Sequence, residues 1–229
     1  MFKVSVFKKY CLLGTQLQKF QFFERHNLNS VWINYQHQCQ YLHIPVNASC
    51  WGKTIFSKAK FRHGTYNSSF KTVIFFRDPI DRWLSGMATW LTCKLPQHAG
   101  LDQIRHNQAL LDILFDTVRQ DEHTERQTFF VQNIDWENTV CFFINDSFKA
   151  SVNQYFINNF HVDIADTPPE NQTTLEGGKL IPKNYFCREL EHNPKYLNRV
   201  KEFFEPDYKF LKSLPFYNTN TVNFWYYDT

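Results

Sequence analysis

The sequence predicts an α/β fold, a three-layer α/β/α domain built around a central, mainly parallel sheet. Short apolar runs at Gln40–Ile44, Thr72–Phe76 and Thr139–Ile144 have the length and composition of buried strands. Each run is followed by a turn and then by a segment whose apolar residues have helical spacing, and this alternation favours a parallel sheet. We expect one domain over the whole chain, with its core at about 38–213 and an aromatic tail at 214–229.

Composition excludes several classes of protein. The net charge of +3 and the pI near 8.5 are too mild for a nucleic-acid binder, which usually carries a clustered basic face. The sequence has neither a signal-peptide-like stretch nor an apolar run of membrane-spanning length, so we expect a cytoplasmic protein without a membrane partner. Its six cysteines show no C-x-x-C spacing, so we expect reduced thiols and no metal site.

The stretch Lys71–Trp90 predicts a strand, a sharp turn and a helix. The apolar run stops at Arg77, and Asp78 and Pro79 suit the N-cap and the first helical position. Apolar residues recur on one face of the predicted helix: Ile80, Trp83, Leu84, Met87, Trp90 and Leu91. Polar residues fall on the opposite face: Asp78, Asp81, Arg82 and Ser85. A helix N-terminus beside arginine favours an anion, so we interpret this junction as a phosphate site.

Helical spacing and helix-breaking residues predict the other elements. These are a strand at Lys3–Phe7, a helix near Gln16–Arg25, and a helix that follows the Pro45–Thr54 loop and ends at about Lys60. Further helices are predicted at Asp102–Arg119, at Ser147–Asn159, and at Tyr185–Phe204 with a break near Pro194. The segments between them, including 61–70 and 163–183, are polar and are predicted to be loops.

A second strand-to-helix junction, Pro45–Thr54, has the layout of a phosphate cradle, in which backbone N–H groups converge on an anion. One interpretation is a degenerate Walker A motif, in which Gly52, Lys53 and Thr54 are intact and Asn47 replaces the first glycine. Asparagine is the best non-glycine substitute where φ must be positive. An ordinary turn with its tryptophan in the core is the structural alternative.

Arg77-Asp78-Pro79, followed by Arg82 and Ser85, resembles the 3′-phosphate motif of the PAPS-dependent sulfotransferases. The resemblance implies a P-loop-like fold in which Arg77 and Ser85 hold the 3′-phosphate of 3′-phosphoadenosine 5′-phosphosulfate (PAPS). The 45–54 junction is similar to the family's Pro-Lys-x-Gly-Thr-Thr-Trp loop, which implies a 5′-phosphate on Ser49 and an adenine near Trp51. The implied cofactor-binding residues are Asn47, Ala48, Ser49, Cys50, Trp51, Gly52, Lys53, Thr54, Arg77, Arg82 and Ser85.

This chain has Val46 where the family has its loop lysine. The family lysine contacts the transferring group, and loss of one such donor typically costs about 100- to 1000-fold in rate. Lys53 is the candidate to replace it from the first helical turn, and we therefore assign it a catalytic role. Compensation by Lys53, slow turnover, and nucleotide binding without turnover all stay open.

His123 and Gln127 lie in a polar segment whose spacing resembles the acceptor-side segment of carbohydrate sulfotransferases. The resemblance implies that both side chains face a carbohydrate acceptor and that His123 takes the proton of its hydroxyl. A surface histidine bonded to its own loop is an equal alternative, and His98 and His106 are further candidates for the base. A small hydroxylated metabolite or a peptide tyrosine also stays open as acceptor.

The first functional hypothesis is therefore a PAPS-dependent sulfotransferase that needs no metal. The second is a P-loop nucleotide kinase or NTPase that uses Lys53 and Thr54 with Mg²⁺, with Asp146 as its acidic partner after a strand. The third is a nucleotide-binding protein that has weak turnover or none because of Val46. The oligomeric state is left open.

Overall fold

The computed structural model describes residues 31–93, 101–132, 134–168 and 180–214. The predicted elements at Lys3–Phe7 and Gln16–Arg25 lie outside these residues, as does the aromatic tail after Leu214. The described chain forms two compact units. We call residues 31–78 and 127–168 the sheet unit, and residues 79–126 and 180–214 the helical unit. The single domain stays a prediction.

The described residues contain five strands and eight helices. The strands are β1 (Val31–Asn34), β2 (Cys39–Leu42), β3 (Arg62–Gly64), β4 (Lys71–Phe76) and β5 (Thr139–Phe143). The helices are α1 (Ser49–Lys58), α2 (Pro79–Cys93), α3 (Leu101–Arg105), α4 (Gln108–Thr117), α5 (Gln127–Phe130), α6 (Phe148–Phe160), α7 (Leu180–His192) and α8 (Pro194–Ser213).

The five strands form one mixed sheet in the order β3-β1-β2-β4-β5. β2, β4 and β5 are parallel, while β1 is antiparallel to both β2 and β3, so four of the strands run in one direction. The α/β class and the mainly parallel direction are confirmed. Strands β1 and β3 were not predicted, since both are short and β3 is exposed.

Helices α1 and α6 pack on one face of this sheet through an aromatic core. The alternation of a strand brings Tyr41 of β2 and Phe75 of β4 to that face, where the Tyr41 ring stacks on Phe56 of α1 at 4.3 Å. Phe148 of α6 meets Phe75 edge to face at 4.9 Å. These contacts fix α1 against β2 and β4, the two strands that precede the predicted phosphate junctions.

Strand β5 is half-buried along its whole length, although its near-continuous apolar run predicted burial on both faces. The reason is its place at the edge of the sheet. Burial raises the pKa of the Cys141 thiol in this strand to about 12. Free thiols are found at Cys39, Cys50, Cys141 and Cys187.

The helical unit has its own apolar core, formed by α2, α4, α7 and α8 with Ile104 of α3. The start of α2 at Pro79 and the break before Pro194 are confirmed. The continuous helix predicted for Asp102–Arg119 is wrong, because Asn107 interrupts it and caps α4 by accepting from the Leu110 N–H. No helix among the described residues is both long enough and apolar enough to cross a membrane.

Candidate functional site

The junction between β2 and α1 is tighter than predicted, because α1 already begins at Ser49. Val46 and Ala48 adopt φ values of 68° and 50°, in the left-handed region that β-branched residues rarely enter. Ala48 is the N-cap and has no side-chain oxygen to offer the first turn, which also lacks acidic residues. Such a terminus presents backbone N–H groups without a competing side-chain anion.

The glycine of the predicted Walker motif is explained by packing. A Cβ on Gly52 would lie 2.5 Å from the hydroxyl oxygen of Tyr41, so only glycine lets α1 approach β2 this closely. Thr54 lies in the second turn of α1, and its hydroxyl donates to the Cys50 carbonyl at 3.1 Å. In a Walker motif the corresponding hydroxyl binds Mg²⁺. The geometry therefore does not favour the Walker interpretation.

Lys53 lies one turn after Ser49, on the same face of α1, and is half-buried. Helical side chains lean toward the helix N-terminus, so the long Lys53 side chain is able to reach back toward the first turn. Cys50, in the same turn, is exposed. A lysine therefore lies one turn from the N-terminus of α1.

Trp51 belongs to the core of the sheet unit. Only 4% of its surface is exposed, and its indole N–H donates to the carbonyl of Thr167 at 3.2 Å. Its ring packs against Phe148 with centroids 5.5 Å apart. The contact of Trp51 with an adenine stays a prediction, and little of its surface is left to make one.

Arg77 connects the two predicted phosphate junctions. β2 and β4 are parallel neighbours, with Leu42 opposite Ile74, so the segments after both strands leave the same edge of the sheet. Arg77 follows β4, and its Nη1 donates to the Val46 carbonyl at 3.2 Å. The guanidinium is thus turned toward the loop after Pro45, as a shared anion site requires.

Gln127, the first residue of α5, is fully buried beneath this junction. Its Nε2 donates to the Arg77 carbonyl at 2.8 Å, and its Oε1 accepts from the Arg77 N–H at 3.0 Å. The same Oε1 accepts from Nδ2 of Asn47 at 2.6 Å, and Nδ2 also donates to the Phe75 carbonyl at 2.8 Å. Contact of Gln127 with an acceptor stays a prediction. In the structure its amide instead joins the backbone of Arg77 to the side chain of Asn47.

Asn47 was predicted as a stand-in for a glycine with positive φ. The positive φ values fall instead on its neighbours Val46 and Ala48. The Asn47 side chain is fully buried, and its Oδ1 has no hydrogen-bond partner within the described part of the chain. A buried acceptor without a partner costs about 1–3 kcal/mol.

In the helical unit, α2 holds the loop 119–126 that carries His123. Arg82 is fully buried, and its guanidinium donates to the carbonyls of Glu122, at 3.0 Å, and of Glu125. A Cβ on Gly86 would lie 2.1 Å from the His123 carbonyl oxygen, so the helix meets the loop backbone directly. Two of the four residues predicted for the polar face of α2, Asp78 and Arg82, are buried, and Asp81 and Ser85 are half-buried. Arg82 positions a loop, and this use of its guanidinium argues against a bond to a nucleotide phosphate.

His123 is paired with a carboxylate. Its Nδ1 lies 2.9 Å from Oδ2 of Asp121, a buried residue whose other oxygen accepts from the His123 N–H at 2.9 Å. A carboxylate at Nδ1 holds the proton on that nitrogen, which leaves Nε2 as the basic atom. The alternative of a histidine bonded to its own loop is thus observed, with 23% of the side chain exposed, and the role of His123 as a general base stays a prediction.

Asp121, Glu122 and His123 also place their ligand-type atoms within 4.8 Å of one another. The two carboxylates already meet the imidazole, at 2.9 and 3.7 Å, and these pairings account for the grouping without an ion.

The other predicted site residues are less informative. Ser85 is half-buried in the second turn of α2, and nearby Asp81 pairs with Lys183 of α7 at 2.7 Å. His106 is exposed between α3 and α4. His98 lies outside the described residues. The joint grip of Arg77 and Ser85 on a 3′-phosphate stays a prediction.

The role of Gln127 at the Arg77 junction was missed by sequence reasoning. Only the pairing of β2, β4 and α5 in space brings residues 50 positions apart into contact, and no local pattern reports it. Comparisons with family models, with curated proteins and with solved structures found no match for this chain.

Proposed function

We propose that this protein binds a 3′-phosphorylated adenosine nucleotide at the β2–α1 loop and Arg77, and that it transfers a sulfuryl group from PAPS to an acceptor hydroxyl. The observation that carries the proposal is the bond from Arg77 Nη1 to the Val46 carbonyl, which joins the two motifs. A P-loop-like, three-layer arrangement, a cytoplasmic location and a carbohydrate acceptor belong to the same proposal.

Strain in the loop supports binding of a ligand there. Two non-glycine residues in the left-handed region flank Asn47, whose buried Oδ1 lacks a partner within the described chain. Each left-handed residue costs on the order of 1–3 kcal/mol, and such strain is concentrated at ligand clamps. An anion that accepts from the first-turn N–H groups of α1 would offset this cost.

In the proposed chemistry the acceptor hydroxyl gives up its proton to a general base, for which His123 stays the candidate that the sequence predicts. The hydroxyl oxygen forms a bond to sulfur, and the bond from sulfur to the 5′-phosphate oxygen breaks. Negative charge grows on the departing phosphate oxygen, where the Lys53 ammonium and the α1 terminus stabilise it. The products are a sulfate ester and 3′-phosphoadenosine 5′-phosphate. Positioning and charge stabilisation carry most of such a transfer.

Binding without turnover is the second candidate, and Val46 favours it. Its half-buried aliphatic side chain cannot supply the charge of the family's lysine. The kinase interpretation has less support, because Gly52 and Thr54 are both occupied by contacts within the sheet unit.

Calorimetric titration with 3′-phosphoadenosine 5′-phosphate, ADP and 5′-AMP tests the proposal. We expect the 3′-phosphorylated nucleotide to bind clearly tighter than the other two. Arg77→Ala should remove most of this preference, because one charge-assisted contact is worth roughly ten- to a hundred-fold in affinity. Arg62→Ala is the control, since Arg62 is an exposed arginine of the same unit in β3.

Equal affinities for ADP and the 3′-phosphorylated nucleotide would favour a kinase or NTPase instead. Transfer is then assayed with radiolabelled PAPS and a panel of carbohydrate, phenolic and peptide acceptors. Preferential binding with no labelled product from any acceptor class would leave the binding protein as the better description.

A further inference from the structure

We infer that Gln127 is a positioning residue of the nucleotide site, and that it sets nucleotide affinity through Arg77 and Asn47 without touching the nucleotide. The inference rests on the proposed function. Gln127 is fully buried, so its amide is not available to a ligand in solution. It therefore has to act through the residues that it holds.

The amide of Gln127 extends the pairing of β4 beyond its last residue. It binds both backbone groups of Arg77, at 2.8 and 3.0 Å, much as a neighbouring strand would. The Arg77 backbone is thereby held in line with the strand. The direction of its guanidinium is set from a backbone that cannot rotate without breaking these two hydrogen bonds.

The same amide reaches the loop. Oε1 of Gln127 accepts from Asn47 at 2.6 Å, and the second bond of Asn47 Nδ2, to Phe75, ties the loop to β4. The guanidinium of Arg77 in turn donates to the Val46 carbonyl in the same loop. The contacts close a ring: Asn47 to Gln127, Gln127 to Arg77, and Arg77 to the residue preceding Asn47. Gln127 is the member that couples the two anion-binding segments.

Removal of the Gln127 amide leaves the N–H and the carbonyl of the half-buried Arg77 without these two hydrogen bonds. Both segments can then relax independently, and a ligand that needs both must reorder them on binding. The loss should appear in the affinity for a nucleotide that engages both junctions. It should be small for a protein that has already lost the Arg77 guanidinium.

The chain offers a matched control in Gln40. This glutamine is also fully buried in the sheet unit, and its Nε2 donates to the Asn67 carbonyl at 2.8 Å and to Thr72 at 3.0 Å, while its Oε1 accepts from the Asn67 N–H. Like the amide of Gln127, it binds the N–H and a carbonyl of a neighbouring backbone, but it holds the 65–70 loop instead. Gln40→Ala should lower stability by a similar amount and leave nucleotide affinity unchanged.

The test is a double-mutant cycle, read by calorimetric titration of 3′-phosphoadenosine 5′-phosphate into the full chain. We expect Gln127→Ala to weaken binding roughly tenfold in the unaltered background and less than about threefold in the Arg77→Ala background. Thermal unfolding of every variant is followed in parallel to verify that the chain is folded.

The possible outcomes separate the inference from the proposed function. Equal fold-losses in both backgrounds, or wild-type affinity in Gln127→Ala, would overturn the inference alone. Absence of preferential binding by the unaltered chain would overturn both.

If Gln127→Ala fails to fold, the near-isosteric Gln127→Glu variant replaces it. Its carboxylate keeps the acceptor oxygens but cannot donate to the Arg77 carbonyl. We expect weakened binding at pH 8 and recovery as the buried acid becomes protonated at lower pH. Affinity that follows the wild-type pH profile would refute the role of the Nε2 donor.

Discussion

Gly86→Ala tests how α2 holds the loop that carries His123. An added Cβ would lie 2.1 Å from the His123 carbonyl oxygen and 2.7 Å from its carbon, whereas real Cβ contacts are essentially never shorter than 3.0 Å. Helix and loop would have to separate by about 1 Å. The loop cannot yield cheaply, because Arg82 holds two of its carbonyls and Thr124 Oγ1 accepts from two of its N–H groups.

Two effects of opposite sign compete in this variant. In an exposed helix, Gly→Ala would stabilise by roughly 1 kcal/mol through helix propensity. Overpacking against a fixed backbone typically costs about 1–3 kcal/mol and can cost more. Because the neighbour is backbone, we expect a clash of about 3 kcal/mol, which leaves a net loss of about 2 kcal/mol after the propensity gain. In a chain of this length that loss lowers Tm by roughly 4–8 °C.

Differential scanning calorimetry measures the change in Tm, and the NMR resonances of the His123 ring report whether the loop has moved. Ala109→Gly, at an exposed position of α4 in the same unit, calibrates the propensity term and should cost about 1 kcal/mol. A rise in Tm for Gly86→Ala, with an unchanged His123 resonance, would refute the close approach of α2 to the loop.

The other two predictions concern pH and backbone strain. A hydrogen bond from the Tyr196 hydroxyl, the largest cause, lowers the pKa of Asp112 below its usual 3.8. The ionised Asp112 therefore stabilises the folded chain above pH 3.8, and this stabilisation is lost as the pH falls below that value. Measured by urea unfolding, the free energy of unfolding should fall less between pH 5 and pH 3 in Asp112→Asn than in the wild type. Val46→Gly should raise the free energy of unfolding by about 0.5–1 kcal/mol, seen as a higher urea midpoint, because glycine accepts the φ of 68° without strain. A lower midpoint would show that the Val46 side chain contributes more packing than the backbone loses.

Sequence reasoning was most successful where one local rule decides the structure. The apolar run before Arg77 and the Asp78-Pro79 start of α2 are local signals, and both elements are confirmed. It was least successful at β1 and β3, which are three or four residues long and are stabilised by pairing rather than by their own pattern. The helix break at Asn107 was also missed, because the apolar periodicity continues past this capping residue and suggests one unbroken helix.

In the candidate site, too, some residues could be selected from the sequence and the roles of others could not. Arg77 and the junction after Pro45 could be selected from residue type and spacing, because anion binding depends on arginine and on helix N-termini, which local sequence reports. The tasks of Arg82, Gln127 and Gly86 could not, because each depends on which backbone group lies opposite. Arg82 and Gln127 look like ligand-binding residues in the sequence, yet both are fully buried and hold backbone.

The sequence by itself therefore determined the alternation of strands and helices and the identity of the cation at the end of β4. The tertiary structure alone decided that this cation meets the loop after β2, since only the parallel pairing of β2 and β4 makes neighbours of segments 31 residues apart. It also decided which polar side chains are available to a ligand, because burial and hydrogen-bond partners are properties of the packed chain and not of any short stretch of it.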